Sequence, residues 1–307
     1  MHLRGAEVRM RHRRRWIVGI AIALAAGCGG TSPAPPQAPA AGGGADHPSG
    51  GATPSPDLGG PAPPSSPPPP SSGALTDEQK LRAMRLISVF ENDTIVLAYD
   101  YVEALGDGRG YTCGLGFTTG TGDALQVVDA YTKAVPQNPL ATFLPRLQQL
   151  AAAGSGDTTG LTGFPAAWKQ AAADAKFQQV QVAQTDVECY QPALAHAKAL
   201  GLKTALAIAE VYDTVWMHGD GSDPDGAPAL IAKASAQVSA ASDEAGWLKA
   251  FLAVRRADLL NPADRTTQAA WSMAVGRVDE FTDLLAAKNF DLAGPIAVGH
   301  GYGVTVP

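Results

Sequence analysis

Residues 90–123 read FENDTIVLAYDYVEALGDGRGYTCGLGFTTGTGD, and the pattern changes twice within them. They close one helix, pass through a hairpin and open another helix. Upstream, Thr76-Asp77-Glu78-Gln79 has capping-box form, and Leu81, Met84, Ile87 and Phe90 recur at helical spacing, so a helix is expected over residues 77–91. Residues 99–105 carry aromatic and β-branched side chains and run into glycines, which favours a strand there over a helix. Residues 111–117 supply its hairpin partner across the turn Gly106-Asp107-Gly108-Arg109-Gly110. Beyond Thr121 the chain reads as helix after helix. Asp123 can cap residues 123–132, Pro139 opens 139–150, and 204–217, 227–240, 243–260 and 264–288 follow, with apolar residues three and four apart in an Ala-rich background. The expectation is an α+β, mostly α-helical domain with one small antiparallel sheet near its start. No internal repeat is visible.

Working outward, residues 1–27 read as an export signal: a basic stretch from Arg9 to Arg15, then a short apolar run, well below the ~20 residues a membrane-spanning helix needs. Leu24-Ala25-Ala26-Gly27-Cys28 is similar to a bacterial lipoprotein cleavage site, which would make Cys28 the lipidated first residue of the mature chain. Cleavage after Ala25, giving a soluble secreted protein, stands beside that reading. Residues 28–73 hold more than half of the chain's 24 prolines and almost no apolar side chain larger than Ala, so they read as a semi-extended linker. Residues 74–307 are long enough for one substantial domain, built as two lobes.

Residues 1–27 hold six Arg and one Glu, so the net charge of −6 for the full chain becomes −11 without them. An acidic exported protein is a poor candidate for nucleic acid and suits a cationic partner, although acidic surfaces also simply keep proteins soluble. With Cys28 assigned to the anchor, Cys113 and Cys189 are left in an oxidising compartment, where a disulfide and two separate buried thiols are both compatible with the sequence. Neither has the neighbours of a structural zinc site.

Glu91 and Asp107 carry the chemistry. Glu91 falls in the last turn of the first helix, facing the negative end of the helix dipole beside Val89 and Phe90, surroundings that favour a protonated carboxyl and suit a general acid. Asp107 sits in a Gly-rich turn with backbone N–H donors and Arg109 close by, surroundings that favour a carboxylate and suit a general base, with Thr112 able to hold a water by its hydroxyl. Taken singly, a solvated helix-end Glu and a hairpin Asp-Gly turn are the commoner readings.

The motif around the pair shifts that balance. Phe90-Glu91-Asn92, Tyr101-Val102-Glu103, the run from Gly106 to Thr112, and Gly116-Phe117-Thr118-Thr119-Gly120-Thr121-Gly122-Asp123 resemble the chitosanases of glycoside hydrolase family 46. The likeness continues through Tyr212-Asp213, Met217-His218-Gly219, Phe251-Leu252 with Arg255, Arg277-Val278-Asp279 and Asn289-Phe290-Asp291-Leu292. The resemblance implies a lysozyme-like fold of two mainly helical lobes, with the sheet lining the cleft between them. It implies an endo-acting, inverting hydrolase of β-1,4 links in chitosan that works as a monomer, without cofactor or metal. Glu91 would be the acid, Asp107 the base and Thr112 the holder of the attacking water. An inverting pair leaves room for that water, roughly 6.5 to 9.5 Å or more. Asn92, Tyr101, Glu103, Arg109, Thr121, Asp123 and His218 would bind the polycation or shape its cleft. Asp213, Arg255 and Arg277 would form a supporting ion-pair network.

Two departures from the family pattern stand out. The segment from Thr112 to Phe117 is one residue shorter, which puts the register of the second strand in question. Asn261-Pro262 replaces a carboxylate expected shortly after Arg255. The Asp-rich loop 219–226 lacks the alternating spacing and terminal Glu of a calcium loop and reads as solvated. A hydrolase of another amino-sugar polymer such as peptidoglycan, and a non-catalytic polycation-binding lipoprotein, are the competing functions.

Overall fold

In the computed structural model of the chain, residues 73–307 are described. The expected export signal, Cys28 and all but the last position of the expected linker lie outside the described residues. Helix α1 (Asp77–Asn92) starts as its capping box demands: Thr76 Oγ1 accepts from the Gln79 N–H at 3.2 Å and Gln79 Oε1 accepts from the Thr76 N–H at 3.0 Å. Such a cap contributes about 1 kcal/mol. The helix stops where Asp93 turns left-handed (φ 55°), which leaves Glu91 in the final turn.

The hairpin is finer-grained than the sequence suggests. Strand β1 (Val102–Ala104) pairs antiparallel with β2 (Tyr111–Cys113), in the register Glu103 to Thr112. The expected partner strand 111–117 does not run through. Gly114 (φ 53°) and Gly116 (φ 114°) fold the chain back, so Phe117–Thr118 forms a third strand, β3, with Thr112 opposite Thr118. The glycines of this segment thus create a turn, with β2 in the middle of a three-stranded sheet. A second small sheet, β4 (Ile296–Val298) with β5 (Val304–Val306), was not anticipated.

The remaining helices are α2 (Asp123–Ala134), α3 (Leu144–Ala153), α4 (Phe164–Ala171), α5 (Ala175–Thr185), α6 (Gln191–Leu200), α7 (Ala205–His218), α8 (Ala227–Ser235), α9 (Glu244–Leu260), α10 (Gln268–Trp271) and α11 (Val275–Ala286). Asp123 is the first residue of α2 and Gly122 its uncapped N-cap, so the expected Asp123 cap is not made. The helix foreseen over 264–288 is interrupted: Asp264 accepts from the backbone and hydroxyl of Thr266, and regular winding restarts only at α10. That foreseen over 227–240 stops at Ser235.

Two cores define two lobes. The larger gathers α1, α6 to α9, α11 and the β4–β5 sheet, and the smaller gathers β2, β3 and α2 to α5. Helix α7 is the axle of the larger lobe: all fourteen of its residues are buried. A π-turn (Asp186–Tyr190) joins α5 to α6 and carries the chain from the smaller core to the larger. Cys113 lies in the smaller core and Cys189 in the larger, and no disulfide joins them. Among the described residues no helix is long and apolar enough to cross a membrane.

Candidate active site

A cleft opens where the end of α1 meets the three-stranded sheet. Its walls include Glu91 and Asn92 from α1, Tyr101 and Leu105 on either side of β1, Thr112 on β2, and Trp216 on α7. Leu115, which also lines it, packs against both cores, so this is the junction of the lobes.

Glu91 keeps 21% of its side chain exposed, and its Oε1 accepts from Arg277 Nη1 at 2.7 Å. Arg277 has no exposed side chain; it sits 5.4 Å over the Phe90 ring and forks onto both oxygens of Asp213, at 3.0 and 2.7 Å. Asp213 Oδ2 is also 2.7 Å from Arg255 Nη1. Burial pushes the Asp213 carboxyl up, but Arg277 and Arg255 together outweigh it and hold it below the usual carboxylate range. The three expected network residues therefore converge directly behind Glu91.

Asp107 is fixed by its own turn. Gly106, Gly108 and Gly110 all have positive φ (74°, 83° and 84°), a conformation that disfavours other residues. A Cβ on Gly156 would fall 1.9 Å from the Gly108 carbonyl, so the loop after α3 braces the turn through a glycine. Asp107 Oδ1 accepts from the Arg109 N–H at 3.0 Å, and Oδ2 from Arg109 Nε and Nη2 at 3.0 and 2.7 Å. Oδ2 is thus saturated, whereas Oδ1 keeps one lone pair. Arg109 is buried against Asp107 and serves it, where a substrate contact was expected.

Thr112 lines the cleft and is buried, yet its hydroxyl has no hydrogen-bond partner. An unsatisfied hydroxyl of this kind marks a place for a small polar guest. Tyr101 donates to Glu103 Oε2 at 3.0 Å, and burial and that bond push its phenol up. Thr121 and Thr118 bond to Asp123, whose carboxyl burial raises against the pull of those bonds. Asn92, Glu103 and Thr121 are exposed.

His218 is elsewhere. Its side chain is fully buried, its ring packs edge-on to Trp271 at 4.8 Å, and its Nε2 accepts from Arg255 Nε at 3.2 Å while Nδ1 donates to the Asp225 carbonyl at 3.0 Å. Burial, then Arg255, holds it well below the usual imidazole range. It is a neutral brace behind the network, not a wall of the cleft. Loop 219–226 is likewise less solvated than expected, because the buried Asp225 accepts from the Ala263 and Asp264 N–H groups at 2.8 and 2.9 Å. Beside it Asp258, one turn before Asn261, supplies a carboxyl near the place where one is missing; burial and then Asp225 push it up to about 7.

Two further carboxyls escaped the sequence reading. Glu210 is fully buried on α7 and its Oε1 is 2.9 Å from Arg255 Nη1. Its signal was visible as an acid inside the apolar run Ala-Leu-Ala-Ile-Ala-Glu-Val, three residues before Asp213. Glu188, on the π-turn, accepts from Gln184 at 2.7 Å and is raised to about 7 by burial, with the bond opposing and the Asp123 charge adding.

Two helical lobes with a carboxyl-bearing cleft between them describe an acid–base hydrolase. The chain belongs to glycosyl hydrolase family 46, whose sequence model matches residues 85–296, and it is a glycoside hydrolase. The chitosanase of Bacillus subtilis (strain 168) is 49% identical over 232 residues, covering 74% of this chain and 84% of that protein. A crystal structure of a mutant chitosanase from Bacillus subtilis MY002 complexed with 6 GlcN matches at TM-score 0.70 and 48% identity, over 76% of this chain and 100% of that one. A Gynuella sunshinyii chitosanase of the family, in complex with chitotetraose, matches at TM-score 0.69 and 44% identity, over 76% of this chain and 99% of that one. The fold is accordingly lysozyme-like.

Proposed function

We propose that this chain is an endo-acting, inverting chitosanase. Glu91 protonates the leaving oxygen, Asp107 takes a proton from the attacking water, and Thr112 holds that water. The carrying observation is the unpartnered Thr112 hydroxyl in the wall of the cleft that Glu91 also lines. Supporting it, Asp107 is anchored through three bonds to Arg109 with one Oδ1 lone pair to spare, which suits a base that must accept a proton without moving. Relatives bearing the chitosanase name, one complexed with GlcN units, favour the glucosamine polymer as substrate.

Asn92, Tyr101, Glu103, Thr121 and Asp123 are read as the polycation's contacts. Asp123 and Glu188 set two acidic side chains near one another at the start of α2, where they can accept hydrogen bonds from the substrate's amines. Export through residues 1–27, a lipid anchor on Cys28, the 28–73 tether, a catalytic domain over 74–307 and a monomeric state complete the reading. Reducing-end release from chitosan tests it, with Glu91→Gln and Asp107→Asn alongside and chitin and bacterial cell walls as alternative substrates. If the wild type releases no more than the double variant, the reading fails. The anomer formed first, followed by NMR, tests inversion.

A further inference from the structure

The loop that follows α7 is tied down at one residue. Asp225 is buried; its carbonyl accepts from His218 Nδ1 at 3.0 Å, its Oδ1 from the Ala263 N–H at 2.8 Å and its Oδ2 from the Asp264 N–H at 2.9 Å. It thus joins the end of α7, the loop 219–226 and the segment between α9 and α10. Beside this knot, in the last turn of α9, lies a second buried carboxyl, Asp258, which the Asp225 side chain faces.

The donors around Asp258 are already committed. Its Oδ2 is shut off from solvent and has no hydrogen-bond partner among the described residues. His218 Nδ1 is 3.8 Å from that atom, but its proton goes to the Asp225 carbonyl. The other ring nitrogen, Nε2, accepts from Arg255 Nε, so the imidazole carries no charge. Trp271, from α10, covers the ring and is uncharged. Lys233 on α8 brings a cation to 3.7 Å from Oδ1, yet half of its side chain is exposed and it donates to the Pro224 carbonyl at 3.0 Å. An ionised Asp258 would therefore be a buried anion set against a second carboxylate, with one half-exposed lysine to answer it, which is a costly arrangement. As a carboxylic acid it gains an O–H donor, and each Asp225 oxygen, holding a single N–H bond, keeps a lone pair to receive it.

We propose that Asp258 and Asp225 share one proton, held on Asp258 and donated to Asp225, and that this acid–carboxylate pair is a latch fastening the loop 219–226 and residues 263–264 to the end of α9. The latch is independent of the roles given to Glu91 and Asp107. Burial first, then Asp225, with Lys233 opposing, raises the Asp258 carboxyl from the ordinary 3.8 to about 7, as a retained proton requires. Because the folded value stands above the unfolded one, the stabilisation is complete below 3.8 and is lost as pH rises through 7. On the alkaline side the two carboxylates repel and the latch loosens.

The Ala263 and Asp264 amides bond to Asp225, so their hydrogen exchange reads the latch directly. With intrinsic rates divided out, their protection in the wild type should fall by more than about ten-fold between about pH 5.5 and pH 8, as an acid held tightly only in the closed state requires. Asp258→Asn puts a neutral donor in the same place and should keep the protection of both amides within about two-fold over that range. A fall that Asp258→Asn leaves unchanged would overturn the proposal. The carboxyl-carbon NMR resonance of Asp258 in the wild type needs no variant to fold, and its midpoint should lie near 7. A midpoint below about 5 would refute the shared proton. A midpoint near 7 with level amide protection would leave Asp258 a buried acid that fastens nothing, and the latch would fail on that result too.

Discussion

Replacing Arg277 with Met keeps an unbranched apolar stem and removes the charge. Arg277 makes three hydrogen bonds at 2.7 to 3.0 Å, two to Asp213 and one to Glu91, and lies over Phe90. Summing charge-assisted bonds at about 1.5 to 3 kcal/mol each would overstate the loss, because Asp213 keeps Arg255 as a partner. The governing cost is that of leaving a buried carboxylate half-compensated, about 3 to 5 kcal/mol. For a domain of roughly 150–250 residues each kcal/mol shifts the melting temperature by about 2 to 4 °C, so Arg277→Met should melt about 6 to 20 °C below the wild type. Circular dichroism melts at pH 7 read this directly. Adding Asp213→Asn should make the double variant less destabilised than the sum of the singles, since the carboxylate stranded by the first change is gone. A melt within about 3 °C of wild type, or strict additivity, would refute the view that Arg277 is held by Asp213 as a buried pair.

Other outcomes follow from single contacts. Thr112→Val should lower kcat/KM about 10- to 100-fold, the worth of one well-placed hydrogen bond, while the melting temperature holds, because the hydroxyl has no partner in the fold to lose. Glu188 holds its proton more tightly folded (about 7) than unfolded (4.5), so its contribution is present below the unfolded value and lost as pH rises through 7. Glu188→Gln should therefore gain stability relative to wild type between pH 5 and pH 8, by about 1 to 3 kcal/mol in denaturant titrations. Asp123→Asn should raise KM for chitosan about ten-fold and weaken its dependence on salt, as loss of one partly buried anion facing a polycation requires; an unchanged salt dependence would remove Asp123 from the binding face.

How far the sequence could be read depended on whether the signal was local. The capping box at Thr76 and the apolar spacing after it located α1 to within a residue at its C-terminus, because both operate within one helical turn. The Asp107 turn was legible for the same reason, its glycines and the Arg109 fork being separated by no more than two residues. What failed was decided by tertiary context. Gly114 and Gly116 read as strand residues until their positive φ values turned the chain, and residues 264–288 have helical periodicity that a local Asp264 turn interrupts. His218 had a surface-like neighbourhood of Gly and Asp, yet the following loop folds back to bury it under Asp225 and against Trp271.

The proposed catalytic pair illustrates why local chemistry could suggest roles but not fix them. Glu91 was read from its helix end and apolar neighbours alone, but folding also places the permanent cation Arg277 at 2.7 Å, a contact 186 positions away in sequence. Glu91 is not the one carboxylate that answers that cation. Asp213 does so from α7, and it is free to do so only to the extent that Arg255 is answered by Glu210, one turn earlier on the same buried helix. The surroundings of Glu91 are thus set by α7 as much as by α1, and the acidic i, i+3 pair inside an otherwise apolar helix is the mark this leaves in the sequence.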